Sequence, residues 1–144
     1  MSKILIVGGG AAGMMAGVFL ARADHEVHIL EKNEKLGKKV YITGKGRCNI
    51  TNASDIQNHF ANIMRNSKFL YSAYNNFSYE DICNMIESAG VKTKIESGNR
   101  VFPVSDKSSD VIWALSKMMK DIGVNVHLNK NVTDVLSDES GVIV

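Results

Sequence analysis

Residues 4–13 read ILIVGGGAAG, and this short stretch decides the fold of the chain. Ile4–Val7 is a continuous apolar run rich in β-branched residues, which is typical of a strand buried on both faces of a parallel sheet. The glycines at 8, 10 and 13 then match the pattern G-x-G-x-x-G. The apolar residues 11–23 predict a helix that is buried, because it carries almost no polar side chain. The stretch therefore predicts a strand, a glycine turn and a helix.

An acidic residue follows at the distance that a nucleotide site requires. Residues 27–30 predict a second strand that ends at Glu31, 21 positions beyond Gly10. A strand, helix and strand within about thirty residues form a βαβ unit, and an acidic residue at this spacing is the ribose ligand of Rossmann folds. Glu31 would accept hydrogen bonds from both ribose hydroxyls and would repel a 2′-phosphate. The sequence thus predicts an α/β, Rossmann-like fold that takes FAD or NAD rather than NADP.

Each glycine of the motif has a physical task. Gly8 permits the tight turn that leaves the first strand, and Gly10 lacks a Cβ, so a pyrophosphate can approach the backbone. Gly13 allows the helix to pack closely on the sheet. The N-terminus of that helix offers unpaired N–H groups and a partial positive charge to the phosphates.

Composition and charge limit the function classes. The chain has 144 residues, 44% of them hydrophobic and 22% charged, which is the composition of one globular domain and excludes a disordered tail. Its net charge of +2 is too small to indicate a nucleic-acid partner. Six basic residues lie between Lys32 and Arg47, opposed only by Glu34. This run predicts a solvated face or a local phosphate site; an RNA contact is disfavoured because Tyr41 is its only aromatic residue.

The N-terminal apolar run has a second interpretation. Residues 4–21 are eighteen uncharged positions, a length that also fits a signal peptide or a short membrane span. Five of them are glycine, which makes a weak anchor, so we expect no membrane association. Cys48 and Cys83 lie 35 positions apart without a C-x-x-C pair, and neither a zinc site nor a disulfide framework is expected. This cysteine usage favours a cytoplasmic location.

The rest of the chain predicts a regular succession of segments. They are a βαβ unit (3–31), a glycine-rich loop (32–54), a helical insert (55–90), two accessory strands within 91–104, a long helix (105–123), and a third sheet strand with the start of a β-meander (124–144). In the last segment, residues 132–136 and 142–144 would pair as a hairpin around a turn at 137–141. The whole chain is interpreted as part of one domain.

Three stretches together resemble one known family. They are Gly8–Gly13, the basic residues 31–52, and residues 99–111, which contain Arg-Val-Phe-Pro-Val-Ser. In this order they resemble bacterial and archaeal FAD-dependent oxidoreductases that include aminoacetone-oxidase-type flavoproteins and a proposed bile-acid-pathway reductase. The resemblance implies a glutathione-reductase-type FAD-binding domain. It also implies hydride or electron transfer through the flavin to a small molecule, with NAD(P)H a candidate electron donor of the full-length protein.

The resemblance also implies a set of cofactor-binding residues. The pyrophosphate would lie against Gly8, Gly10, Ala12 and Gly13, and the adenosine ribose against Glu31 and Lys32. The cofactor would run along Gly37 and Lys38. Its flavin end would lie against Gly46, Arg47, Cys48 and Asn49, and its adenine against Val132. Proteins of this family are much longer, so we expect the N-terminal third of one, which would hold FAD weakly by itself. A stand-alone NAD-binding module without catalysis remains the alternative. Catalytic residues, substrate and oligomeric state are left open.

Overall fold

The computed structural model describes residues 1–138 and 141–143. The chain divides into two compact units, Met1–Tyr41 together with Leu115–Val144, and Ile42–Ala114. The helices and strands in chain order are β1 Lys3–Val7, α1 Ala11–Arg22, β2 Glu26–Leu30, α2 Lys38–Ile42, β3 Thr51–Asn52, α3 Ile56–Ala61, α4 Tyr71–Asn76, α5 Tyr79–Ser88, β4 Thr93–Glu96, β5 Arg100–Pro103, α6 Ser108–Asp121, β6 Asn125–His127, β7 Leu136–Asp138 and β8 Gly141–Ile143. This is the α/β, Rossmann-like architecture that the sequence predicts.

A parallel sheet organises the first unit. Its strand order is β1-β2-β6, and the register pairs Lys3 with Glu26 and Val7 with Leu30. β6 then pairs with β2 in parallel, with Leu30 opposite His127. Parallel strands require a crossover connection, which α1 supplies between β1 and β2. The βαβ unit therefore forms where the sequence places it, with the third strand beside β2.

Close packing holds α1 against this sheet. Met14 and Val18 of α1 are fully buried, as are Val27 and Ile29 of β2 within rounding. A Cβ on Gly17 would come within 3.0 Å of Ile29 Cδ1, so the missing side chain is what lets the helix approach. The helix ends at Arg22, and Asp24 in the turn after it has a φ of +60°, the left-handed conformation that aspartate tolerates at helix exits.

Two burial predictions for this region are wrong. Leu5 and Val7 of β1 keep 37% and 59% of their surface exposed, and Ile4 and Ile6 on the other face are only half-buried. α1 is buried on one side, because Phe19 remains 43% exposed. A run that is apolar at every position carries no period, and its sequence cannot show which face the rest of the fold covers.

A small antiparallel sheet organises the second unit. Its strand order is β3-β5-β4, with Thr93 opposite Pro103 and Thr51 opposite Val101. The two accessory strands are confirmed as β4 and β5, and the single proline closes β5. β3 is a strand that the sequence does not predict, because two residues inside an irregular loop are too short for a detectable pattern.

The C-terminal hairpin differs from its prediction in register. β7 pairs with β8 antiparallel, with Leu136 opposite Ile143. The predicted first strand at 132–136 is wrong, because residues 131–135 have no regular structure and β7 begins at Leu136. Residues 139 and 140, at the centre of the predicted turn, and Val144, at the end of the second predicted strand, lie outside the described residues. None of the described helices has the length and apolar composition needed to span a bilayer.

We predict that Gly13→Ala destabilises the protein by about 3 kcal/mol, because its Cβ would overlap the backbone carbonyl oxygen of Gly8, which cannot move aside. Gly10→Ala is the matched control. A Cβ at Gly10 meets no atom within 4 Å, so the expected cost is about 1 kcal/mol or less, that of alanine at a helix N-cap. Urea unfolding of the two variants measures both values. Equal stabilities would contradict this account of the helix–turn contact.

Candidate functional site

The glycine turn presents backbone rather than side chains at the end of β1. Gly8 adopts φ +100°, and its N–H donates to the carbonyl of Leu30 at 2.8 Å. Gly10 is the N-cap residue of α1, and its carbonyl accepts the first helical hydrogen bond, from the N–H of Met14, at 2.9 Å. No side-chain cap satisfies this helix start. The first turn of α1 therefore keeps N–H groups available to an anion.

Glu31 ties this turn to the end of β2. Its Oε2 accepts the backbone N–H of Gly9 at 2.7 Å, and its Oε1 accepts the backbone N–H of Asn33 at 2.8 Å. The side-chain amide of Asn33 also donates to Oε1 at 2.5 Å. The residue is only 7% exposed. A carboxylate accepts about four hydrogen bonds, so three are taken and one position on Oε2 remains. Glu31 can thus accept one ribose hydroxyl, not the two that the sequence predicts.

These contacts also set the protonation of Glu31. Burial raises the pKa of the carboxyl group, but the N–H donors of Asn33 and Gly9 outweigh it, and the pKa lies below its ordinary value. The side chain is therefore a carboxylate at neutral pH. A negative charge here repels a 2′-phosphate while it accepts a hydroxyl.

The main chain of Glu31 fixes the segment that follows β6. Its N–H donates to the carbonyl of His127 at 2.9 Å, and its carbonyl accepts the N–H of Lys130 at 2.9 Å. Asn129 reinforces the same crossing by donating its N–H to the carbonyl of Asn33 at 3.1 Å. Residues 130–132 consequently lie at the carboxyl edge of the parallel sheet, where open α/β sheets bind ligands.

A cavity of about 390 Å³ opens at this edge. Its lining consists of Val7, Gly8, Gly10, Leu30, Glu31, Lys32, Asn33, Lys38, Lys39, Lys130, Asn131 and Val132. Four lysines and one carboxylate make it predominantly cationic. The open space beside Gly10, the free N–H groups of α1 and the lysines suit a diphosphate, and the carboxylate suits a ribose hydroxyl. The adenosine diphosphate half of FAD therefore fits the residues that are present.

The structure brings together six of the predicted site residues at this cavity. They are Gly8, Gly10, Glu31, Lys32, Lys38 and Val132. Ala12 and Gly13 lie in the first turn of α1 and do not contribute to the lining. Gly37 is adjacent to the turn, because its N–H donates to the carbonyl of Gly9 at 2.8 Å.

The other four predicted residues belong to the second unit. Gly46 and Cys48 adopt positive φ angles of +88° and +61°. Arg47 pairs with Glu96 and Asp106 at 2.5 Å each, and its guanidinium lies 4.3 Å from the ring centroid of Phe102. These partners raise the pKa of Arg47 further, so it is a permanent cation within its own network. The amide of Asn49, once its oxygen and nitrogen are exchanged, donates to Thr51 O at 3.0 Å.

Cys48 is a buried thiol rather than a reactive one. It is 6% exposed, and burial raises its pKa above the ordinary value despite a hydrogen bond with Thr43. Reactive cysteines need the opposite shift, towards the thiolate. The raised pKa therefore gives no support for a reactive thiolate at Cys48.

Sequence reasoning missed several residues of the cavity or its frame, among them Gly9, Asn33, Lys39 and Lys130. Gly9 stands at a variable position of the motif, yet a Cβ there would overlap Leu36. Lys130 follows the third predicted strand, and parallel strands end at one sheet edge, so strand order would have revealed it. The position of Asn33 at Glu31 depends on the local turn, for which the sequence carries no signal.

Comparison with known proteins agrees with this geometry. Residues 2–144 match the family described as the HI0933-like protein Rossmann domain. The chain belongs to this family. Its members are FAD-binding Rossmann domains, so FAD is the cofactor, as the sequence predicts.

Two curated relatives and one solved structure are similar to this chain. The chain is 31% identical to the 3-dehydro-bile acid delta(4,6)-reductase of Clostridium scindens over its whole length and 35% of that protein. It is 27% identical to the ribosomal RNA dihydrouridine synthase of Escherichia coli, covering 95% of this chain and 34% of that one. The 3-ketosteroid-delta4-(5alpha)-dehydrogenase of Rhodococcus jostii shares the fold, with a TM-score of 0.68, 16% identity and coverage of 96% and 40%. The chain thus spans about a third of the length of the curated relatives it matches.

We predict that Glu31→Gln lowers the free energy of unfolding by about 2 kcal/mol at pH 7, because an amide loses the charge-assisted bonds to Gly9 and Asn33. The pKa of Glu31 is lower in the folded than in the unfolded protein, so this stabilisation is complete above the ordinary value of 4.5 and disappears as the pH falls through the folded-state value. The difference between wild type and variant should therefore shrink below pH 4.5.

The exposed neighbour Glu34 provides the control. Glu34→Gln should change stability by less than about 0.5 kcal/mol at any pH, as surface substitutions do. Denaturant titrations at neutral and acidic pH measure both variants. A Glu31→Gln deficit that stays constant with pH would show that the charge of Glu31 contributes nothing.

Proposed function

We propose that this chain is the FAD-binding part of an oxidoreductase that reduces a carbon–carbon double bond conjugated to a carbonyl group. Bound FAD supplies the hydride in such a reaction. The cavity at the carboxyl edge of the sheet carries the FAD-binding part of the proposal, because it combines a cationic diphosphate cradle with a carboxylate placed for a ribose. The enzyme activity belongs to the full-length protein, of which this chain supplies the nucleotide half.

Two relatives of different substrate support this choice of bond. A 3-dehydro-bile acid delta(4,6)-reductase acts on double bonds conjugated to a 3-oxo group. A dihydrouridine synthase reduces the C5–C6 bond of uracil, which is conjugated to the C4 carbonyl. The two substrates share little else. We therefore assign to this protein a substrate that accepts hydride at a C=C–C=O group. The rest of the enzyme determines how large that substrate is and which molecule carries the group.

The residues of this chain then have defined roles. The N–H groups at the start of α1 and the side chains of Lys38 and Lys130 bind the diphosphate, and Glu31 orients the adenosine ribose. Val132 lies against the adenine. We assign the ribityl and flavin end to residues 46–49, in which the ion pairs of Arg47 hold the loop in place. With Cys48 and Cys83 both as free thiols, a reducing cytoplasm is the location we propose.

Gly10→Ala should weaken FAD binding at least about 10-fold, because the added Cβ occupies the space in which a phosphate meets the backbone and removes about one hydrogen bond. Asp55→Ala is the control. It removes the N-cap of α3 and costs about 1 kcal/mol of stability without touching the cavity, so FAD affinity should stay unchanged. Titration of apoprotein with FAD measures both. If Gly10→Ala bound FAD as tightly as wild type, the assignment of the pyrophosphate to this turn would be contradicted.

The reaction is tested with the full-length, FAD-loaded protein and NADH or NADPH as reductant. We expect a 3-oxo-4,6-diene steroid or a uridine-containing RNA to be reduced, and the matching saturated ketone or dihydrouridine-containing RNA to be inert. Mass spectrometry detects the gain of two hydrogens. Reduction of neither substrate would contradict the proposed bond class, and a protein that binds NAD but not FAD would be the non-catalytic module instead.

A further inference from the structure

Residues 56–79 differ from the rest of the chain in composition. This stretch, the aromatic segment, contains six of the ten Phe, Tyr and Trp residues and five asparagines. It contains no aspartate or glutamate, although Asp55 precedes it and Glu80 follows it. Its only formal charges are the cations Arg65 and Lys68. Such a combination of rings, amides and cations without acids is unusual for a solvated helical insert.

The structure exposes part of this segment instead of burying it. Met64 is 99% exposed, Phe69 86% and Tyr71 62%. Phe69 lies in a 3₁₀ turn, Ser67–Leu70, between the six-residue helices α3 and α4. Aromatic surface in water is unfavourable, so a partner that covers the ring of Phe69 would be stabilised by its burial.

An open cleft adjoins the exposed ring. Its volume is about 740 Å³, and it is lined by Asn66, Ser67, Lys68 and Phe69. The cleft thus offers an amide, a hydroxyl, an ammonium group and an aromatic face in four consecutive residues. Within the part of the chain that the structure describes, neither Arg65 nor Lys68 has a carboxylate partner, so both charges face solvent.

Ring contacts connect the two helices that flank this cleft. Phe60 stacks on Tyr71 with centroids 5.6 Å apart, and it meets Tyr74 edge to face at 5.6 Å. These inner rings join α3 to α4 on either side of the 3₁₀ turn. Phe69 takes part in none of these ring contacts, so its ring faces solvent.

We propose that the aromatic segment is a binding surface for single-stranded RNA, in which Phe69 stacks on a base and Arg65 and Lys68 contact phosphates. Unpaired bases stack on exposed aromatic side chains, and cations beside the rings follow the backbone. Asparagine amides hydrogen-bond the edges of bases. This proposal departs from the expectation, drawn from the net charge, that the chain has no nucleic-acid partner.

Other occupants fit the same surface less well. A second copy of this chain in a two-fold contact would bring both copies of Arg65 and Lys68 into one interface, and the segment contains no acid to pair with them. A membrane surface is bound by continuous amphipathic helices, whereas here two six-residue helices flank a 3₁₀ turn. Duplex RNA is recognised by groove shape and keeps its bases stacked, so Phe69 would have no partner.

The test measures binding of the full-length protein to a fluorescent, uridine-rich single strand of about 12 nucleotides, within the site size usual for such surfaces. Only the choice of uridine rests on the proposed function. Phe69→Ala should weaken binding about 5- to 100-fold, the range expected for loss of one base stack, and Phe69→Trp should restore it. Trp113→Ala removes a half-exposed ring on α6 and should leave affinity unchanged.

Salt dependence tests the cations separately. Arg65→Ala/Lys68→Ala should reduce the slope of log affinity against log salt by about 1.4, at about 0.7 per phosphate of a single strand. Arg22→Ala/Lys120→Ala removes two exposed cations elsewhere and should leave the slope as it is. Anisotropy titrations over a range of salt concentrations give both results.

Several outcomes would overturn the proposal. The proposal fails if Phe69→Ala binds RNA as tightly as wild type, or if the salt slope is unchanged in the double variant. It also fails if the protein prefers the matched duplex, or if these variants lose binding to anionic vesicles but keep binding to RNA. FAD content and reduction of a small steroid dienone should be the same in all variants. If those two readouts fail in wild type as well, the proposed function is wrong, whereas the RNA titration still decides the surface.

Discussion

The nucleotide-binding part of this chain depends on the buried carboxylate of Glu31. Its oxygens accept N–H groups from the glycine turn after β1 and from Asn33, and its backbone pairs with His127 and Lys130. One residue thus joins the turn after β1, the end of β2 and the segment after β6. A buried charge is stable only when it is hydrogen-bonded, so the same donors that lower the pKa of Glu31 also fix the shape of the cavity. Binding geometry and local stability here have one physical cause.

The hydrogen bonds of Glu31 predict which nucleotides the cavity accepts. A site lined by four lysines would bind any polyphosphate, but a carboxylate that is already three-quarters satisfied accepts only one more donor. A ribose hydroxyl provides that donor, and a 2′-phosphate does not. The cations hold the diphosphate, and Glu31 decides which nucleotide follows it.

How much the sequence could predict depended on the kind of signal. The glycine spacing and the position of Glu31 predicted the βαβ unit correctly, because backbone sterics leave few alternatives at these positions. Six of the predicted site residues line one cavity. The burial of Leu5 and Val7 was predicted wrongly, since a uniformly apolar strand does not reveal which face is covered. The extra strand β3 and the shifted start of β7 depend on tertiary pairing. The net charge of the whole chain is an average, so it does not show that residues 56–79 carry two cations and no acid.

The central claim is that the cavity around Glu31 holds the adenosine diphosphate half of the cofactor. Amide chemical shifts recorded by NMR during titration with ADP test it most directly. We expect shifts at residues 8–13, 31–33 and 130–132, and binding at least about 10-fold weaker when the nucleotide carries a 2′-phosphate, which meets the charge of Glu31. Shifts confined to other residues, or equal affinity for the 2′-phosphorylated nucleotide, would contradict the account.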